Sequence, residues 1–222
     1  MRYLIFALLL CTLTGCGSYE LKNIAKSDVD LVTDEFIDES RRLVRELMVK
    51  LYKRNPGELA KIPGMTIDMR LAQLRTHRGQ LDFVELAGRQ ETQALELVFN
   101  QHFDGDRVFA LVVGLGGMLR HAYGYNHESF MFDSLSPQPL WTSAHNVEVL
   151  AWRLRNNRQA NGEPWLVTSE YQGLTDNLSF ERLFGKLIVL QEMMARIAGD
   201  ADHRRVNKVV HAAGSVFIPL PI

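Results

Sequence analysis

Cysteine is nearly absent from this chain of 222 residues, and its two copies, Cys11 and Cys16, both lie close to the start. From residue 17 onward there is no thiol. That part of the chain therefore forms no internal disulfide, offers no cysteine nucleophile and builds no thiolate zinc site. We expect its fold to be held by packing and hydrogen bonding alone.

An excess of basic charge is also lacking. The 25 lysines and arginines are opposed by 26 aspartates and glutamates, so the formal net charge at pH 7 is −1. No basic stretch is long enough to suggest a phospholipid or nucleic-acid patch. A near-neutral chain gives no electrostatic case for a nucleic-acid partner, and we predict none.

Readable catalytic motifs are missing as well. The sequence contains neither the G-x-S-x-G nor the S-x-x-K pattern of serine nucleophiles, and it has no H-E-x-x-H zinc motif. The glycines near Gly114 lack the G-x-G-x-x-G spacing and the lysine of a phosphate-binding loop. These absences favour a protein without enzymatic activity.

Long hydrophobic runs are few, and the first one begins the chain. Arg2 supplies a positive start, and residues 3–13 are almost entirely apolar. This run is too short for a hydrocarbon core of ~30 Å, which needs roughly 20 residues, but it has the length of the apolar region of a signal peptide. Small residues follow it, as a signal peptidase requires. We therefore predict a signal peptide rather than a core helix or a membrane span.

The end of that run, Leu13-Thr14-Gly15-Cys16, resembles the lipobox of bacterial lipoproteins. The resemblance implies cleavage before Cys16 and covalent lipid, including palmitate-type acyl chains, on its thiol and new amine. Several acyl chains would make membrane attachment durable, whereas one chain holds a protein only marginally. Gly17 stands where an aspartate would favour the inner membrane. The resemblance therefore implies an anchor in the outer membrane, on its periplasmic face, with the inner membrane as the less favoured location.

These signals divide the chain into three parts. Residues 1–15 are the predicted lipoprotein signal peptide, residues 16–27 a lipidated tether, and residues 28–222 a globular domain. Removal of the signal peptide takes one arginine and no acid, so the formal net charge becomes −2. We find no internal repeat, low-complexity tract or long linker.

Helical periodicity dominates the third part. Apolar residues recur every three or four positions from Val29 to Leu51, and Asn55-Pro56-Gly57 ends the pattern. Acidic residues lead this helix and basic residues close it, which complements the helix dipole. We interpret its charges as a solvated outer face rather than a partner surface. Similar patterns predict helices over 91–103, 137–160, 179–199 and 206–213.

The remaining segments carry weaker patterns. Residues 56–90 predict short helices and loops, with a strand possible at 81–86, and residues 165–171 are β-prone. The segment Val108–Leu119 is hydrophobic all round, which predicts burial on every side. The apolar tail from Ser215 to Ile222 is broken by prolines, so we expect it to lie extended against the core or, alternatively, to dock a partner. The fold class is thus mainly α: one helical domain of about five to seven helices around a buried central helix, with at most a minor β element.

One irregular segment concentrates polar and aromatic residues between two predicted helices. Loops on rigid scaffolds often carry function, so we place the candidate ligand or partner site there. The alternative is that its aromatic residues fill the core while its polar residues form turns. The candidate residues, together with a histidine of the next helix, are His121, Tyr123, Tyr125, Asn126, His127, Glu128, Asp133 and His145.

Two functions follow as hypotheses. The first is a lipid-anchored envelope protein without enzymatic activity, which binds an envelope protein partner or maintains the envelope. It needs no cofactor beyond the covalent lipid on Cys16, and we predict no metal site because no two histidines show zinc spacing. The alternative is a periplasmic hydrolase or metal-dependent enzyme that uses the 121–145 region. Convergence of His121, His127 and His145 in a concave pocket would favour the alternative.

Overall fold

A computed structural model describes residues 28–125, 135–169, 178–201 and 216–220 of the chain. Several predictions lie outside these residues. They are the signal peptide, Cys16, the tether, the helix predicted at 206–213, and the candidate site residues Asn126, His127, Glu128 and Asp133.

Within the described ranges the chain forms seven α-helices and one turn of 3₁₀-helix at Val84–Leu86. The helices are α1 (Asp28–Arg54), α2 (Pro56–Ala60), α3 (Ile67–Thr76), α4 (Glu91–Val98), α5 (Arg107–Ala122), α6 (Pro137–Asn156) and α7 (Ser179–Ala201). This confirms the predicted mainly α fold. None of the helices in the described part of the chain is both long enough and apolar enough to cross a bilayer.

The four long helices form a closed ring of contacts. Helix α1 packs on α5 and α7, and α6 packs on the same two helices from the other side. A buried polar group joins three of them: Gln191 of α7 donates to Ser40 of α1 over 3.2 Å and accepts from Ser143 of α6 over 3.4 Å. These buried polar side chains satisfy one another inside the core.

Helix α5 is the predicted central helix, and twelve of its sixteen residues are buried. It contacts α1, α2, α4 and α6. The carboxylate of Asp106 caps its first turn by accepting from the backbone N–H of Phe109 over 2.9 Å. A helix in contact with this many neighbours has no polar face to expose, which is why its sequence shows no amphipathic pattern.

A buried ion-pair network fixes α3 to the start of α5. The Arg70 side chain is fully buried and donates to both carboxylate oxygens of Glu85, over 2.6 and 2.8 Å, and to Asp106 over 3.1 Å. The hydroxyl of Tyr52 donates to the same Asp106 oxygen over 2.7 Å. The guanidinium also lies 3.7 Å from the ring centroid of Phe109. A charge this deep requires such partners, because an unpaired buried charge is very costly.

The strand considered possible at 81–86 is wrong. Leu81 and Leu86 are buried, but Val84 between them is 97% exposed, and residues 84–86 form the 3₁₀ turn instead. Ala87 then ends the turn in the left-handed region with φ 52°. The β-prone segment after residue 164 is not a strand over its described residues either. The β structure in the described ranges is one isolated bridge, between Arg158 and Pro164. A strand needs a partner strand to pair with, and no described residue forms one beside these segments.

Several predicted helix ends are also corrected. Helix α4 ends at Val98 rather than Phe103, and α6 ends at Asn156, before the Asn161-Gly162 signal. Helix α7 continues past Gly199 to Ala201. Local signals fix the existence of a helix better than its last turn, where capping and tertiary contacts decide.

The C-terminal segment 216–220 lies extended against the core. Its Ile218 exchanges two hydrogen bonds with the buried amide of Asn146 in α6, over 2.6 and 2.8 Å. Phe217 and Leu220 are each 6% exposed. Of the two expectations for the tail, packing against the core is the one observed for these residues.

Candidate functional site

Three of the predicted site residues lie together at the end of α5. His121 is in its last turn, Tyr123 follows the helix, and Tyr125 comes two residues later with φ 60°. His145 lies on α6 and is half-buried. In the described part of the chain no three or more His, Cys, Asp and Glu side chains gather as a metal site would require.

His121 and Tyr125 converge on Glu91, a residue the sequence did not single out. The Tyr125 hydroxyl donates to the Glu91 carboxylate over 2.6 Å, and Nδ1 of His121 lies 3.1 Å from both of its oxygens. The two rings stack with centroids 5.2 Å apart. Burial, followed by the hydrogen bond and charge of Glu91, raises the pKa of Tyr125 to about 12. The hydroxyl therefore remains a donor across the physiological range.

This arrangement favours one tautomer of a neutral His121. With Nδ1 donating to Glu91, the proton is on Nδ1 and Nε2 is left as an acceptor. A carboxylate that orients an imidazole in this way is the supporting half of a general-base pair. The reacting half, a nucleophilic hydroxyl or a bound water, is not defined by the contacts of these three side chains.

Tyr123 belongs to a different feature, a pocket between α1, α3 and α5. The pocket has a volume of about 240 Å³ and includes Leu74, Leu81, Val112 and Leu119 among its apolar lining residues. The exposed edge of Gly116 also lines it, where a side chain would otherwise project. The hydroxyl of Tyr123 is buried without a hydrogen bond of normal geometry, although Ser40 and Gln191 lie close enough to offset part of the rise in pKa that burial causes.

Four arginines line the same pocket: Arg41 and Arg45 from α1, Arg75 from α3 and Arg120 from α5. Among the described lining residues the only acidic one is Asp38, which accepts from Arg41 over 3.2 Å. Arg45 and Arg75 form no hydrogen bond or ion pair with any residue in the described ranges. The formal charge of the lining side chains is therefore strongly positive.

Arg120 helps to hold one wall of this pocket in place through hydrogen bonds to the backbone. Its guanidinium donates to the carbonyl oxygens of Leu74 and His77 over 2.9 Å each and to that of Gly79 over 3.1 Å. These bonds hold the end of α3 and the following loop as one wall. They satisfy donors of Arg120 but leave its positive charge without a carboxylate.

Like charges lie close together in the pocket, and the pKa values of two of its arginines are lowered by burial and by these charges. Burial, and then the charge of Arg41, lowers the pKa of both Arg45 and Arg120. Arg75 lowers the pKa of Arg45 further. Arg41 and Arg45 are four residues apart on one helix, a spacing at which like charges destabilise by a few tenths of a kcal/mol, roughly. An anion in the pocket would relieve this repulsion.

The sequence interpretation missed this pocket. The sequence predicts a solvated face for the charges of α1, and the half-buried Arg41 and Arg45 of that helix also line the pocket. Their spacing of four does place them on one face of the helix, which was the one available signal. Nothing in the local sequence pairs that face with Arg75 and Arg120, which come from helices far along the chain.

Comparison of the chain with protein-family models, with curated proteins and with solved structures finds no match in any of the three.

Proposed function

We propose that this protein is a lipid-anchored envelope protein without enzymatic activity that binds an anionic ligand in the arginine-lined pocket. The lipobox-like sequence supports the anchor, and the pocket supports the binding role. The predicted envelope protein partner stays a prediction of the sequence.

The observation that carries the proposal is the imbalance of charge in the pocket. Four guanidinium groups face one carboxylate, and two of the four have no partner in the described ranges. Two other arginines have carboxylate partners: the fully buried Arg70 has Glu85 and Asp106, and the half-buried Arg153 has Glu96 at 2.7 Å. In the pocket, Arg45 is half-buried and Arg75 is exposed at the rim. An unpaired cluster costs stability, and such costs concentrate at binding sites. Guanidinium groups also match the oxygens of carboxylates and phosphates with paired hydrogen bonds.

The proposal is tested by anion-dependent stability. Thermal unfolding of the purified full chain is measured with pyrophosphate and with sodium chloride at equal ionic strength. A ligand that binds only the folded state at one hundred times its Kd stabilises it by about 2.7 kcal/mol. We expect pyrophosphate to raise the melting temperature, and the double variant Arg45→Gln/Arg75→Gln to lose that rise. Arg182→Gln, on the exposed face of α7, is the matched control. Equal effects of the two salts on the unmodified protein would contradict the proposal.

The Glu91–His121 pair favours a second candidate, the periplasmic hydrolase or metal-dependent enzyme. In that role His121 would act as the general base and Glu91 would orient it. A panel of ester and phosphoester substrates tests this candidate with the unmodified chain and with His121→Ala and Glu91→Gln. Turnover that both variants lose at an unchanged melting temperature, or stoichiometric zinc in protein purified without added metal, would promote the enzyme over the binding protein.

A further inference from the structure

We propose that the ligand of the arginine-lined pocket is a phosphate monoester of an aliphatic chain, with its phosphate between Arg45 and Arg75 and its chain on the apolar floor. This inference rests on the proposed function and specifies its ligand class.

The charge of the pocket favours a phosphate monoester over a carboxylate. Arg41 is engaged by Asp38, and Arg120 by three backbone carbonyls. Arg45 and Arg75 are left with guanidinium donors that no described residue uses. A phosphate monoester carries a charge between about −1.5 and −2 at pH 7, with three acceptor oxygens, and so matches two guanidinium groups better than a singly charged carboxylate.

The floor of the pocket favours an aliphatic chain. Leu74, Leu81, Val112 and Leu119 line it, and all four belong to the hydrophobic core, so the floor is the outer edge of that core. A cavity of about 150 Å³ with apolar walls is enough to hold benzene, so 240 Å³ holds a short aliphatic segment but not a whole long-chain lipid. Each CH₂ moved from water to such a floor contributes about 0.8 kcal/mol. Inorganic phosphate would leave this surface uncovered.

Gly116 determines the space above the floor. A Cβ atom at this position would lie 3.3 Å from Cδ1 of Leu81 and 3.8 Å from Cγ1 of Val44, both of which line the pocket. A leucine there would place its side chain among these groups and fill the space that the chain of the ligand requires. Gly185 of α7 offers a control, since nothing lies within 4 Å of its Cβ position.

Four probes separate the parts of the inference. The full chain, in vesicles of zwitterionic phosphatidylcholine, is titrated by calorimetry with octyl phosphate, octanoate, octanol and inorganic phosphate. The first two are kept below their micelle concentrations and octanol below its solubility limit, and each titration is corrected by one into vesicles alone. We expect octyl phosphate to bind at least about tenfold more tightly than each of the other three. Gly116→Leu and Arg45→Gln should each lower the affinity for octyl phosphate by about tenfold or more. The control variants Gly185→Leu and Arg182→Gln should leave that affinity unchanged.

Stability adds a second readout. Without ligand, Arg45→Gln should melt no lower than the unmodified protein, because it removes like-charge repulsion and breaks no ion pair among the described residues. If Gly116→Leu fails to fold, Arg45→Gln still tests the headgroup.

The possible failures are distinguishable. If octyl phosphate binds no tighter than inorganic phosphate, the proposal that the ligand carries an aliphatic chain is wrong, and the proposed anion-binding function still stands. Octanoate that binds as tightly as octyl phosphate would overturn the choice of phosphate. Octanol that binds as tightly as octyl phosphate, or an absence of binding for all three anions, would overturn both the inference and the proposed function.

Discussion

The backbone carbonyl oxygen of Glu91 lies 2.7 Å from the point where a Cβ atom would stand on Gly114. The backbone nitrogen and Cγ of Leu95 are each 2.8 Å from the same point. Helix α4 therefore begins in direct backbone contact with the central helix. This contact seats Glu91 beside α5, from which it reaches His121 and Tyr125.

Gly114→Ala should destabilise the protein by about 1–3 kcal/mol, because two backbones would have to separate to admit one methyl group. At Gly117 the nearest atom to a Cβ is Cγ of Glu91 at 3.5 Å, an ordinary contact, so Gly117→Ala should be tolerated. Gly185→Ala should be neutral or stabilise by up to about 1 kcal/mol, as expected of an unobstructed helical glycine. Chemical denaturation of the three variants measures their free energies of unfolding, which should rise in the order Gly114→Ala, Gly117→Ala, Gly185→Ala. Equal losses at Gly114 and Gly185 would contradict the close approach.

The central helix was predictable from sequence because its composition alone requires burial on all sides. Helices α1 and α7 were predictable because each has one apolar stripe with a period near 3.6 residues. The 3₁₀ turn at 84–86 was not, since Leu81 and Leu86 are buried by tertiary contacts that no periodicity records.

The candidate site shows the same division. His121 and Tyr125 were predicted from the density of polar and aromatic residues in their segment. Their partner Glu91 is 30 residues from His121 and was interpreted only as the start of a helix. The arginines of the pocket join α1, α3 and α5, and only the tertiary fold brings them together.

Arg70→Met should destabilise the protein strongly, by about 3–5 kcal/mol, because it leaves Asp106 deeply buried without its cationic partner. The matched control is Arg42→Met, which removes an arginine whose contacts to Glu39 and Glu46 lie at the surface. Exposed pairs contribute little, so its melting temperature should barely change. Calorimetric unfolding of both variants provides the comparison. A small effect at Arg70 would mean that the network does not hold α3 against α5.

Tyr125 should ionise about two units above an ordinary tyrosine, with a pKa of about 12. Because the folded pKa lies above the unfolded one, the stability that Tyr125 contributes is complete below pH 10 and is lost as the pH rises through 12. The near-ultraviolet absorbance titration of the unmodified chain minus that of Tyr125→Phe isolates this group. Burial of the hydroxyl and then its hydrogen bond to Glu91 cause the rise, so a difference curve with its midpoint near pH 10 would contradict this environment of Tyr125.

Asn146→Ala should release the segment 216–220 from α6. The amide makes both hydrogen bonds to the backbone of Ile218, and alanine can make neither. The N–H of Ile218 should then exchange with solvent much faster in hydrogen-exchange mass spectrometry. Asn156→Ala is the control, since the one hydrogen bond of that amide to a described residue is to the Trp152 carbonyl of its own helix. Unchanged exchange at residue 218 would show that the buried Phe217 and Leu220 hold the tail without Asn146.

The anchor makes a prediction that does not depend on the pocket. If Leu13-Thr14-Gly15-Cys16 acts as a lipobox, Cys16→Ser should abolish lipid attachment, because the hydroxyl cannot replace the thiol that accepts the diacylglyceryl group. Cells that express the chain are labelled with palmitate and separated into membrane and soluble fractions. We expect label and membrane association in the unmodified protein, and an unprocessed or soluble precursor in the variant.

Cys11→Ser is the control and should leave both label and membrane association unchanged, because Cys11 lies in the segment that the resemblance assigns to the signal peptide. Incorporation of label into Cys16→Ser would show that the lipid is attached elsewhere or that the motif is not a lipobox. Pocket ligands should bind the unmodified protein and Cys16→Ser with equal affinity, because the described residues that line the pocket begin at Ile37, well beyond the predicted tether.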